Sequence, residues 1–284
     1  MSNPKPEAAT SDGGHADKIA VITGASRGIG RTLALQLAAA GGSVVVNYHR
    51  NADLAEEVVA EAKRLGGDAV AVEADVESPE DVVRLFDVAA ETYGRLDYFV
   101  NNAAASAFKP IVSLKAHHLD RSYAMNVRPF VLGAQEAVKL MDRGGRIVAV
   151  TSYGAHRAFA TYAALGSFKA TIESLIRYMA VEFAGYGINV NGVNGGLIES
   201  DSLDYFYNKV PGMAPIQTVL DKVPMHRPGT MADMANAIEF LLSDRSGYIT
   251  GQTIMVDGGL TSTAPPYYHE TTEPTSLPPR PTRE

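Results

Sequence analysis

Short apolar runs alternate with amphipathic stretches from residue 18 to residue 256. The segment KIAVIT at 18–23 is apolar throughout and stops at Gly24, which marks a strand covered on both faces in a parallel sheet. SVVVN at 43–47, the runs at 69–73 and 97–100, RIVAVT at 146–151, and the runs at 187–193 and 253–256 read the same way. Helical spacing fills the intervals. Leu33, Leu37 and Ala40 share one face of a helix over 31–40, and further helices are predicted at 53–65, 79–93, between 100 and 146, at 161–184 and at 231–242. The helix at 79–93 has an acidic first turn, Glu80 and Asp81, as the helix dipole favours. No composition shift marks a second domain. The alternation predicts one α/β domain, a doubly wound and mostly parallel seven-stranded sheet with helices on both faces. The stretch 197–228 carries no clear element and is a candidate substrate lid.

The two ends break the pattern. Residues 1–16 are polar, and 261–284 hold six of the fifteen prolines, so both are expected to be flexible tails around a body at 17–260. Tyr267 and Tyr268 are the groups that would dock the second tail onto the body or a neighbouring subunit. Across all 284 residues, 46% are hydrophobic and 20% charged, a globular composition. The absence of cysteine excludes disulfides, thiolate nucleophiles and cysteine-held zinc or iron–sulfur clusters. A formal charge of −7 argues against nucleic acid or an anionic membrane as partner. No apolar run approaches the roughly 20 residues that span a bilayer, and the start lacks the apolar core of a secretory signal. The expectation is a soluble, cytoplasmic protein.

Candidate chemistry begins directly after the first strand. Gly24, Ala25, Ser26, Arg27, Gly28, Ile29 and Gly30 form a glycine loop that opens a helix. Such a loop lets the backbone turn tightly and approach a pyrophosphate, whose charge rests on helix N–H groups. A dinucleotide cofactor is therefore predicted. NAD sites place an acid about 20 residues on, at the end of the second strand, to bind the ribose hydroxyls. Here that position reads Asn47, Tyr48, His49, Arg50, without an acid. Arg27 and Arg50 form a local basic cluster suited to a 2′-phosphate, so NADPH is the expected cofactor. His117 and His118 have no matching carboxylate cluster, and no metal site is expected.

Further motifs add to this set: Asp75 and Val76 after the third strand, Asn101, Asn102, Ala103 and Ala104 after the fourth, and then Asn126, Ser152 and Lys169. With them the body from about residue 18 to 259 resembles the short-chain dehydrogenase/reductase family, which implies a Rossmann fold. The resemblance implies that Asp75 contacts the adenine and that Asn101, Asn102 and Ala103 shape the floor of the dinucleotide site. It implies that Lys169 holds the nicotinamide ribose, that Ile198 meets the carboxamide through its backbone, and that Ser200 lies near the phosphates. One departure is informative. Most family members carry a tyrosine four residues before the lysine, where this chain has Leu165. Tyr162 instead gives Tyr-x6-Lys, a spacing similar to that of NADPH-dependent enoyl-acyl-carrier-protein reductases and of related enoyl-CoA reductases. Homotetramers are common in the family.

On a helix, Tyr162 and Lys169 would lie two turns apart on one face, with the phenol shifted about 5 Å from its usual place. A ketoreductase needs its phenol at the carbonyl that receives hydride. An enoyl reductase receives hydride at Cβ and must stabilise an enolate on the thioester oxygen, which a displaced phenol can do. The expected activity is reduction of the C2=C3 bond of a 2-enoyl thioester on an acyl carrier protein or CoA. The alternatives are a 3-ketoacyl or carbonyl reductase and an inactive dinucleotide-binding protein. Several roles stay open. Tyr153 is a second donor or a wall, Ser152 orients substrate or caps a turn, and Asn126 fixes a helix kink or a water linked to Lys169. His156 and Arg157 are loop residues or contacts to a CoA or phosphopantetheine phosphate.

Overall fold

The structure is a computed structural model that describes residues 14–210 and 215–262. Seven strands form one sheet: β1 (Ile19–Ile22), β2 (Ser43–Tyr48), β3 (Asp68–Glu73), β4 (Leu96–Asn101), β5 (Met141–Ser152), β6 (Asn189–Gly195) and β7 (Thr253–Val256). Their order is β3-β2-β1-β4-β5-β6-β7, and every neighbouring pair is parallel, Ile22 matching Val46 on one side and Val100 on the other. A sheet expected to be mostly parallel is therefore parallel throughout its described strands. Strand order reverses between β1 and β4, and the crevice outside their carboxyl ends is where such sheets place a ligand.

Nine α-helices flank the sheet among the described residues: α1 (Gly28–Ala39), α2 (Ala52–Arg64), α3 (Pro79–Tyr93), α4 (Ala116–Asn126), α5 (Arg128–Leu140), α6 (Ala163–Phe183), α7 (Asp201–Lys209), α8 (Ile216–Leu220) and α9 (Met231–Leu242). Alternate residues of each strand feed opposite cores. Ala20 and Ile22 join Leu33, Leu37, Val58, Met234 and Ile238 from α1, α2 and α9. Ile19 and Val21 join Leu85, Phe86, Phe130, Ile172 and Ile176 from α3, α5 and α6. That split explains why the strand segments are apolar on both sides. Local signals set the helix starts. Ser78 accepts from the Asp81 backbone N–H at 3.2 Å just before Pro79, and Thr230 and Asp233 form a reciprocal capping box ahead of α9.

The structure adds detail to three expectations. The lid stretch 197–228 is not irregular, because it contains α7 and α8. Ser200 starts α7 by accepting from the Leu203 N–H at 3.1 Å, a short cap that hydrophobic spacing does not reveal. The helical pattern between β4 and β5 is two helices, broken where Pro129 at the start of α5 cannot continue the hydrogen bonding of α4. The N-terminal tail was expected to run to residue 16, yet His15 is buried. Its Nδ1 lies 3.2 Å from the Tyr98 hydroxyl and its Nε2 2.5 Å from Glu239 Oε1, which ties the entry of β1 to β4 and α9. Residues 1–13 and 263–284 of the expected tails, with Tyr267 and Tyr268, lie outside the described residues.

Candidate active site

The glycine loop joins β1 to α1 through two positive-φ turns, Gly24 at +63° and Gly28 at +61°. Gly30 is needed for a different reason: a Cβ there would stand 2.6 Å from the Gly24 carbonyl oxygen and 2.9 Å from Ala25 Cα. Side chains lock the turn. Asn47 Oδ1 accepts from the Gly24 N–H at 3.0 Å, and Asn102 Nδ2 donates to the carbonyls of Thr23 and Gly24 at 2.9 and 3.1 Å. The backbone N–H groups of Asn102 and Ala103 both donate to Thr23 Oγ1, at 2.9 and 3.0 Å. Ser26 is buried under the loop, and Ile29 packs on the adjoining core. Arg27 occupies the cap position of α1 but makes no side-chain cap, so the first N–H groups of α1 keep their donor capacity for an anion. A Cβ at Gly28 would meet nothing nearer than 3.9 Å, which leaves the outer side of the loop open. Asn101, at the carboxyl end of β4, is buried with neither side-chain polar atom paired to protein. A clamped turn with free helix donors fits a dinucleotide pyrophosphate.

Two of the side chains expected near a 2′-phosphate, His49 and Arg27, each face a carboxylate. His49 Nδ1 lies 3.7 Å from Asp75 Oδ2, and Asp75 Oδ1 accepts from the Glu77 N–H at 2.9 Å. Val76 is buried beside it. Arg27 donates to Asp201 Oδ2 at 2.7 Å, joining the glycine loop to the first turn of α7, while Arg50 lines a shallow surface cleft with Asn51–Leu54 neighbours Ala52 and Asp53. Ile198 forms an isolated bridge with Gly229, and the Ser200 hydroxyl donates to the Ile198 carbonyl at 3.1 Å. The Ser200 side chain is thus committed to shaping the start of α7.

The phenol of Tyr162 sits beyond the carboxyl end of β5. Tyr162 is not inside α6, as helical phase suggests, but caps it at φ −95° and ψ 0°. Thr161 before it takes φ +68°, a conformation that costs a β-branched residue energy and recurs at functional sites. The ring is then placed by packing. Its centroid lies 4.4 Å from Phe159, 5.4 Å from Phe206 of α7 and 5.5 Å from Phe108 of the β4–α4 loop. Tyr153 stacks on Phe159 at 6.0 Å, in the wall of the same cluster. Gly154 lies under the ring, where a Cβ would come within 2.4 Å of Tyr162 Cε1, and Gly166 would press on the Gly154 carbonyl at 2.7 Å. Gly154→Ala is therefore expected to tilt the phenol and lower turnover at least about tenfold, with fold preserved by circular dichroism.

The Tyr162 hydroxyl donates to Ser152 Oγ at 3.4 Å, and burial pushes the phenol above its ordinary range against a smaller opposing effect of that bond. Lys169 is buried, and its Nζ donates to the Val150 carbonyl at 2.8 Å. Burial pulls the ammonium down to about 8, with Glu173 acting in the other direction. Asn126 ends α4 with Nδ2 donating to the carbonyls of Ala105 and Ser122 at 2.8 Å, and its buried Oδ1 has no protein partner. Leu165 is buried in the first turns of α6. His156 lies in the loop after β5, where its Nε2 meets Glu173 at 2.6 Å, and Arg157 donates to the His156 carbonyl at 3.1 Å. Among the described residues no group of three metal-ligating side chains is gathered, and no helix is long and apolar enough to cross a membrane.

With the loop, the phenol and the lysine in place, comparison with known proteins settles the lineage. A family model described as Enoyl-(Acyl carrier protein) reductase matches residues 24–261. The chain belongs to the short-chain dehydrogenase/reductase family. It is similar to 1-cyclohexenylcarbonyl-CoA reductase of Streptomyces collinus, 66% identical over 94% of this chain and 95% of that one. It is also similar to tetrahydroxynaphthalene reductase of Pyricularia oryzae, 35% identical over 89% of this chain and 92% of that one. A solved 7α-hydroxysteroid dehydrogenase complexed with NADH superposes with a TM-score of 0.82 at 35% identity, covering 89% and 98% of the two chains. Family membership makes this chain an oxidoreductase of a kind that uses a nicotinamide dinucleotide cofactor, and the clamped glycine loop with the open N–H groups of α1 fits its pyrophosphate. That cofactor supplies a hydride when bound. Beside such a site this chain places a buried lysine, Lys169, and the phenol of Tyr162, bonded to Ser152 and packed in an aromatic cluster.

Two parts of this site escape sequence reasoning. Phe108, Phe159 and Phe206 come from three separate segments, and only tertiary packing brings them to Tyr162. Glu173, buried and bonded to Thr151 Oγ1 and Asn194 Nδ2 at 2.7 Å each, had one available signal: it lies four residues after Lys169, a spacing that puts both on one helix face.

Proposed function

We propose that this enzyme reduces the C2=C3 bond of a 2-enoyl-CoA with NADPH, and that the acyl group is cyclic. The observation that carries the reading is the displaced phenol: Leu165 stands where a carbonyl-reducing member keeps its tyrosine, and Tyr162 lies at the helix start facing an aromatic enclosure. Hydride reaches Cβ, Tyr162 donates a hydrogen bond to the enolate that develops on the thioester oxygen, and a proton arrives at Cα. Phe108, Phe159 and Phe206 offer a compact apolar wall that matches a six-membered alkenyl ring better than an open groove would. The name of the Streptomyces collinus relative, a reductase of 1-cyclohexenylcarbonyl-CoA, supports both the ring and the CoA carrier over an acyl carrier protein. Oxidation of NADPH followed at 340 nm with 1-cyclohexenylcarbonyl-CoA and with a 3-ketoacyl-CoA tests it. Loss of NADPH with the ketone alone makes the enzyme a carbonyl reductase, and cofactor binding without turnover of either makes it a binding protein.

Preference for NADPH rests on Arg27 and Arg50 together with the missing acid after β2. Neutralising each, Arg27→Ala and Arg50→Ala, is expected to weaken NADPH about tenfold or more while NADH binding changes little, as measured by cofactor fluorescence. Tyr178 and Val181 on α6 and Tyr123 on α4 are exposed apolar groups that suit a homo-oligomer, with a tetramer expected by light scattering. The cytoplasm is the expected location.

A further inference from the structure

Glu173 is a buried carboxylate that the reaction just described does not use. Its side chain is 7% exposed, and donors from three directions converge on it. Thr151 Oγ1 of β5 and Asn194 Nδ2 of β6 donate to Oε1 at 2.7 Å each, and His156 Nε2 lies 2.6 Å from Oε2. Both carboxyl oxygens thus have polar partners, and the group is held from three elements. An ionised group at this depth is costly unless positive charge lies close. Three cationic or titratable side chains surround it. Arg177, one turn further along α6, spends its guanidinium on the Glu173 backbone carbonyl at 2.9 Å. His156 approaches from the loop after β5 with 44% of its side chain exposed. Lys169 is one turn earlier on the same helix face and is as deeply buried as Glu173 itself.

The same carboxylate reaches the reacting groups by a second route. Asn194 Nδ2 bridges it to the Ser152 backbone carbonyl at 2.9 Å, and Ser152 Oγ accepts from Tyr162. Thr151, the neighbour of Ser152, is bonded to it directly.

We infer that Glu173 is a positioning residue whose buried negative charge keeps Lys169 protonated and whose bonds to Thr151 and Asn194 hold Ser152 beneath Tyr162. The inference rests on the proposed role of Lys169 as the charged group of the reaction. Burial alone draws the Lys169 ammonium toward neutrality, and the charge on Glu173 opposes it. Removing that charge therefore makes Lys169 lose its proton at lower pH. A merely structural Glu173 would change rate at every pH alike.

Glu173→Gln keeps the shape and an acceptor but removes the charge. Two readouts apply to the full-length protein. In the first, the alkaline limb of kcat/KM for the enoyl-CoA moves at least about one pH unit lower. In the second, the 13Cε resonance of Lys169, identified by its loss in Lys169→Met, titrates lower by a similar amount without any substrate present. Glu173→Asp keeps the charge but withdraws it by one methylene, so it moves both readouts the same way by less. Lys169 titrating at the wild-type pH in whichever of these variants folds overturns the inference, as does a rate loss equal at all pH. If the wild type fails to reduce any enoyl-CoA, the functional proposal falls while the resonance still decides the Glu173–Lys169 coupling.

Discussion

Tyr162→Phe is expected to lower turnover of a 2-enoyl-CoA by about 10²-fold or more while leaving the dissociation constant for NADPH within about twofold. The substitution removes one hydroxyl and retains the ring, so the packing of Tyr162 against Phe108, Phe159 and Phe206 survives. The hydrogen bond given up among the described residues is the long one of 3.4 Å to Ser152 Oγ. Stability should therefore change by less than about 1 kcal/mol, by urea denaturation. Under the proposed mechanism the loss falls on kcat, because the phenol would act on charge that develops in the transition state. A near-normal kcat would remove Tyr162 from the mechanism and leave Tyr153, stacked on Phe159, as the next donor to test.

Lys169→Met is expected to abolish measurable turnover and to make the protein more stable at pH 7. The lysine carries its charge in a site that lowers the ammonium from 10.5 to about 8, a difference equivalent to about 3 kcal/mol of unfavourable burial. Methionine fills similar volume without charge, although it leaves the Val150 carbonyl without its donor at a cost of about 1–2 kcal/mol. A modest net gain remains. Its sign depends on pH. Below 8 the folded wild type carries the buried charge and bears the full penalty. As pH rises from 8 to 10.5 the unfolded chain holds more protons than the folded one, and wild-type stability climbs relative to the variant. Melting temperatures across pH 7–10 check this, and a variant less stable than wild type at pH 7 would contradict it. Wild-type activity should fall along the same interval as Lys169 loses its proton, so the alkaline limb lies near pH 8.

Much of this architecture was legible in the chain because both-face burial leaves a periodic mark. Segments such as IAVI in β1 and SVVVNY in β2 are apolar throughout since cores lie on either side of them. The glycine loop was legible for another reason: φ values of +63° and +61° and a backbone approach too close for a Cβ at Gly30 restrict residue type directly. The helices within 197–228 were not legible. Helix α7 is short, is started by the Ser200 side chain and is anchored by the burial of Phe206, which contacts residues nearly a hundred positions away in Phe108 and forty-four away in Tyr162. The placement of Tyr162 shows the limit most plainly. Its spacing from Lys169 implies a helical face, whereas a positive φ at Thr161 and the bare surface of Gly154 set the ring outside the helix. His15 escaped detection as well, since one histidine in a polar stretch carries no period.

The backbone contact between Gly154 and Gly166 has a consequence for how this enzyme could change its substrate. Because main chain rests on main chain beneath the phenol, no side chain there is available to be enlarged, shortened or recharged. If the proposed substrate is right, drift or laboratory selection toward a different acyl group would work through Phe108, Phe159 and Phe206, which pack on the phenol from separate segments. The floor of the site is inherited as a unit, and the ceiling is where diversity among its descendants would accumulate.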